Sequence, residues 1–99
     1  MTAHEQAVAT DQLRRTLLAF RAAQNLFLRA QRRLKSLSAA EVGIFWARPG
    51  RRLEQHRQIT ATEVVAAFKV FSAAGLIAGA EDRHPITEAE RYLAEGKAS

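Results

Sequence analysis

The chain has 99 residues, 47% apolar and 25% charged, which suits one soluble globular domain and excludes both a disordered polypeptide and two separate cores. With no cysteine it has no disulfide, thiolate metal site or cysteine nucleophile. No apolar run approaches the roughly 18 residues that cross a bilayer, and Glu5 and Asp11 precede any apolar segment, so a secretory leader and a membrane partner are not expected and the cytoplasm is.

Residues 1–10 read as a disordered arm, followed by a long helix over 11–36. In that helix Leu13, Leu17, Phe20, Gln24, Phe27, Gln31 and Leu34 recur with alternating 4,3 spacing, the stripe of a helix packed along another helix. Gln24 and Gln31 interrupt the seam and could fix its register. Leu18 and Leu26 lie on the far side and suggest burial there as well. A helix buried on two faces predicts a homodimer seam; a single amphipathic helix on its own core is the alternative. Seven Lys/Arg stand against Glu5 and Asp11 over residues 1–36, a net +5.

The next helix spans Ala39 to Ala47, opened by the capping box Ser38 to Glu41, with Leu37 and Val42 as its hydrophobic staple. It carries Phe45 and Trp46, read as core, and Pro49-Gly50 stops it. Arg51 to Arg57 would form a short third helix offering only Leu53 to a core. Residues 37–58 carry four arginines against Glu41 and Glu54, a net +2, so positive potential concentrates on the first helix and this central segment.

A second capping box, Thr60 to Glu63, predicts a helix over 60–74 with Val64, Phe68 and Phe71 inward, closed by Gly75 in the left-handed conformation. Thr62, Ala66, Lys69 and Ala73 form its outer face. Leu76 to Ala78 and His84 to Ile86 read as minimal strands of a hairpin, and a third box, Thr87 to Glu90, opens a last helix over 88–95 that buries Ala89, Tyr92 and Leu93 and ends at Gly96. Residues 59–99 hold four basic and six acidic groups, a net −2.

Taken together, Leu37-Ser38-Ala39-Ala40-Glu41, the run Phe71-Ser72-Ala73-Ala74-Gly75-Leu76-Ile77, the pair Asp82-Arg83 and Ile86-Thr87-Glu88-Ala89-Glu90-Arg91 resemble the winged helix of the multiple-antibiotic-resistance (MarR) and phenolic-acid (PadR) regulator families over about residues 37–96. The resemblance implies a mainly α fold: a single winged helix-turn-helix domain with a long N-terminal dimerisation helix, a minimal β-hairpin wing and a C-terminal helix. It makes 60–74 the recognition helix and 79–84 the wing tip. The implied function is a bacterial DNA-binding transcriptional regulator, nucleoid-associated and homodimeric, that sets helix 60–74 into the major groove of double-stranded DNA.

Phosphate contacts would then come from Arg48, Arg51, Arg52, Arg57, Lys69 and Arg83, with His84 and His56 assisting when protonated, and base reading from Gln58, Thr62 and Ala66. The single basic residue of helix 60–74 and the acidic last third support an alternative, a small helical protein-interaction module such as an antiactivator or adaptor. No nucleophile elbow or phosphate-cradling glycine loop is present, and His4, His56 and His84 are too far apart for a helical metal pair, so neither enzyme activity, cofactor nor metal is expected.

Overall fold

The computed structural model describes residues 2–98, and all regular structure among them is helical: α1 Ala3–Leu34, α2 Ala39–Ala47, α3 Pro49–Ala73 and α4 Ala80–Ala98. The helices form an elongated bundle of 55 × 24 × 22 Å with a radius of gyration of 16.2 Å. A compact chain of this length would have about 13 Å. The excess comes from α1, whose 32 residues at roughly 1.5 Å each run nearly the full length.

α1 begins at Ala3, so residues 3–10 of the arm expected over 1–10 are helical and Thr2 is the extended N-cap; Met1 lies outside the described residues. The signal is a fourth Ser/Thr-x-x-Glu sequence, Thr2 to Glu5, in which the Thr2 hydroxyl accepts from the Glu5 N–H. Further anchorage comes from Gln6, which donates through Nε2 to the Ala74 carbonyl at 3.0 Å, and from Ala9, which is buried.

α1 and α3 pack antiparallel, with Gln6 beside Ala74 at one end, Gln24 beside Arg57 further along, and Phe27 beside Trp46 towards the other end. The core unites Leu13, Leu17 and Phe20 of α1, Ala61, Val64, Ala67 and Phe71 of α3, and Ala78, Ile86 and Ala89 at and beyond the α3–α4 connection. Alanines at the crossings let the backbones approach while Phe20, Val64 and Ile86 fill the space between them.

The stripe assigned to a dimer seam is therefore spent inside the chain. Leu13, Leu17, Phe20 and Phe27 are buried within the protomer, Gln24 is held in a polar network, Leu34 is half-buried and only Gln31 is exposed. Periodicity shows that a face needs a partner helix; it carries no label for which chain supplies it.

The boundaries of α2 are those expected. Ser38 Oγ accepts from the Glu41 N–H and donates to the Glu41 carboxylate, while Arg48, at φ −130° and ψ −72°, breaks the helix before Pro49 opens α3 at its first position.

The short helix over 51–57 and the helix over 60–74 are one continuous α3, so the helix-turn-helix expected from them is not formed among the described residues. Thr60 is a mid-helix residue whose hydroxyl donates to the carbonyls of His56 and Arg57. The physical reason is Arg57: it occupies a core-facing position that sequence alone counts as polar, which completes the inward stripe from Leu53 through Val64.

α3 ends as expected at Gly75 (φ 78°), in a Schellman motif where Leu76 N–H reaches the Phe71 carbonyl and Gly75 N–H the Ser72 carbonyl.

The hairpin wing is absent among the described residues, and with it the winged helix. Residues 76–79 are an irregular connection, and residues 80–86, which hold most of the expected wing tip and all of its second strand, are the opening turns of α4, where the Asp82 and Arg83 N–H groups bond to the Gly79 carbonyl. A lone two-stranded hairpin is marginal in water. The helix instead buries Ile86 and Ala89 and lays Tyr92 and Leu93 against the core, with Glu81 and Asp82 favourably placed at its positive end. Thr87 is consequently mid-helix and caps nothing.

Candidate functional site

The antiparallel pairing of α1 with α3 gathers charge that is scattered along the sequence. It brings the C-terminal turns of α1 beside the start of α3, so Arg29, Arg32, Arg33 and Lys35 share one end of the bundle with Arg48, Arg51 and Arg52. All seven side chains are exposed, and among the described residues none of them enters an ion pair. The nearby acids are engaged: Glu41 by Ser38, Glu54 by Tyr92 and Arg57. Seven like charges at this end outnumber the carboxylates of Glu41 and Glu54, and the excess raises a local potential that attracts polyanions. Ala47, Arg48, Arg51, Arg52 and Gln55 line a shallow hollow of about 290 Å³ on this end.

α2 sits at the same end and contributes no buried side chain. Val42, Phe45 and Trp46 are half-buried, with Trp46 tilted against Phe27 at 5.7 Å and edge-on to Phe45 at 5.4 Å. Gly50 permits this packing, because a Cβ there would collide with the Trp46 ring and lie 3.0 Å from Phe45 Cε1. Ile44 faces the other way, 72% exposed.

Arg57, expected among the phosphate contacts, is not available for them. Its guanidinium lies 4.4 Å from the centroid of Phe27 and 4.2 Å from that of Tyr92, and its Nε donates to Gln24 Oε1 at 2.7 Å. Gln24 in turn donates to Glu88, which pairs with His84 at 2.7 Å, and Glu54 lies 3.9 Å from Arg57 Nη1. A planar cation between two rings, with its edge hydrogen-bonded, is a structural element joining α1, α3 and α4. Tyr92 donates to the Glu54 carboxylate; burial first, then that hydrogen bond and the Glu54 charge, push its phenol up to about 12, against the opposing pull of Arg57.

Gln58, Thr62, Ala66 and Lys69 do lie exposed on one face of α3, as expected, along an open groove of about 790 Å³ whose other wall is Tyr92, Leu93 and Glu95 of α4. Glu54 and Glu95 in that groove oppose phosphate approach, and the Thr62 hydroxyl already donates to the Gln58 carbonyl at 2.9 Å. Arg83 and His84 are on α4 instead of a wing tip, and His84 sits beside Arg21 and Gln24, midway along the bundle. The structure thus joins Arg48, Arg51 and Arg52 with Arg29, Arg32 and Arg33 of α1 and its C-cap Lys35, all outside the expected site, and separates them from Arg57, Arg83 and His84. The strong positive balance of residues 1–36 was the available signal for the α1 group.

Among the described residues no cluster of three or more His, Asp or Glu could hold a metal ion, and no helix is long and apolar enough to cross a membrane. Comparisons with known protein families, curated proteins and solved structures return no match, so the resemblance to winged-helix regulators rests on its quoted residues alone.

Proposed function

We propose that this protein binds double-stranded DNA through the basic end of its bundle and acts there as a transcriptional regulator, in the cytoplasm and on the nucleoid. The observation that supports it is the gathering of Arg29, Arg32, Arg33, Lys35, Arg48, Arg51 and Arg52 at one end, exposed and outside any ion pair among the described residues. Guanidinium groups grip phosphate oxygens in pairs and release condensed counterions, which supplies affinity without reading sequence. No wing is required. The experiment is a duplex-binding titration by fluorescence anisotropy across a salt series: full use of the seven groups gives a slope of log affinity against log salt of about −6. A slope near zero, or no binding at low salt, overturns the reading.

A second reading, a protein-interaction module, is favoured by the exposed leucines of α1: Leu18, opposite the core, is 68% exposed, and Leu26 and Leu28, on its two flanks, are each about half exposed. Purified protein that ignores DNA at low salt and holds a single protein partner that substitutions at Leu18 and Leu28 release would establish it.

A further inference from the structure

We infer that Ile44 is an intercalating wedge: α2 presses it between base steps of the minor groove and kinks the DNA that the surrounding arginines hold. This rests on the DNA-binding reading and adds a deformation to it. Ile44 is the bulky apolar side chain on the outer face of α2, among the exposed small residues Ala40, Gly43 and Ala47, with Arg48 one turn on and Glu41 one turn back, where the Glu41 carboxylate accepts from the Ser38 hydroxyl. Small flanks let the helix backbone come close to whatever Ile44 enters; a Cβ added at Gly43 would meet nothing within 4 Å.

The basic residues that share this end define what can cover the face. A second copy docked there would oppose two rings of like charge. A bilayer surface is held by several inserted apolar side chains, but Val42, Phe45 and Trp46 turn towards Phe27 and Gly50 and are half-buried, which leaves Ile44 with Leu37 at its edge. One protruding apolar side chain beside Arg48, at the basic end of the bundle, matches the arrangement by which minor-groove proteins unstack a base step, where a single wedge suffices and phosphates supply the counter-charge.

The test is a bend measurement on a duplex of about 25 base pairs with a central TA step and fluorophores at its two ends, read by energy transfer as protein is added. Wild type is expected to raise transfer by a kink of about 20 to 90°. Ile44→Ala should bind with an unchanged salt slope and leave the duplex near its free bend, and Ile44→Phe should restore the kink. Because Ile44 is 72% exposed, neither change removes core packing, and circular dichroism checks that each variant is folded.

Equal bending by wild type and Ile44→Ala, or binding by wild type without bending, overturns the wedge while the DNA-binding reading stands. Absence of DNA binding at low salt overturns both. Binding to phosphatidylserine–phosphatidylcholine vesicles with a Trp46 emission shift, in place of DNA, also refutes the wedge, as does a dimer in solution that Ile44→Ala dissociates.

Discussion

Arg21 donates through Nη2 to the carbonyl oxygen of Glu81 at 3.3 Å, the oxygen that Pro85, having no N–H, leaves without its helical partner. Pro85 lies inside α4 and is buried, so the helix keeps a proline at the cost of one backbone bond, and α1 fills the gap. Arg21→Ala should cost about 1 kcal/mol in urea unfolding. In a Pro85→Ala background, where the helical bond is restored, the same change should cost little. Equal costs in the two backgrounds would show that the contact carries no compensation.

The place of Arg57 between Phe27 and Tyr92 makes it a stability residue, its side chain only 20% exposed. Arg57→Ala should destabilise by about 3 kcal/mol, since it empties a stacked site and strips Gln24 and Glu54 of a partner. Lysine cannot stack or fork in the same way, so Arg57→Lys should recover less than half of the loss. A chemical melt in which lysine restores wild-type stability would refute the stacked geometry.

Glycines 50 and 43 should respond with opposite signs. A Cβ at Gly50 collides with Trp46, so Gly50→Ala should cost about 1 to 3 kcal/mol through overpacking and shift Trp46 fluorescence. Gly43→Ala meets open space in the middle of α2 and should stabilise by up to about 1 kcal/mol. Thermal melts of the two variants read this directly; a Gly50→Ala protein as stable as wild type would count against the α2–α3 packing.

Stability should fall in strong alkali through the single tyrosine. The Tyr92 phenol is raised from 10.0 to about 12 in the folded protein, chiefly by burial and then by its bond to Glu54, so the folded state holds the proton more tightly than the unfolded one. The resulting stabilisation is fully present below pH 10 and is lost as pH climbs from about 10 to 12. Tyrosinate absorbance should therefore titrate late in native buffer and near 10 in denaturant. Tyr92→Phe should remove the pH-dependent part of the loss, and a native titration midpoint near 10 would refute it.

For the proposed DNA grip, the double change Arg51→Gln with Arg52→Gln should flatten the salt slope by about 2 units. Both side chains are exposed, so stability should stay within about 0.5 kcal/mol. Lys69→Gln, on the groove side of α3, should alter neither. A larger loss from Lys69→Gln than from the arginine pair would return the interface to the helix over 60–74.

Local chemistry alone sufficed for α2, where Ser38 and Glu41 satisfy each other at the start and Arg48-Pro49 close the end, and for Gly75, the left-handed cap that α3 requires. The amphipathic stripe of α1 was equally legible, because a 3.6-residue period is written in the chain itself. Tertiary structure decided the rest. Thr60 and Thr87 carry the same capping signature as Ser38, yet lie mid-helix because the residues before them find core partners and the helix has no reason to stop. Arg57 reads as surface charge until Phe27 and Tyr92, distant in sequence, close on it, and residues 76–86 read as a hairpin until α1 and α3 offer Ile86 a buried site that only a helix reaches. Charge could be counted residue by residue, but which charges become neighbours depended on the antiparallel return of α3 along α1. That return follows from long-range burial, which no local pattern encodes.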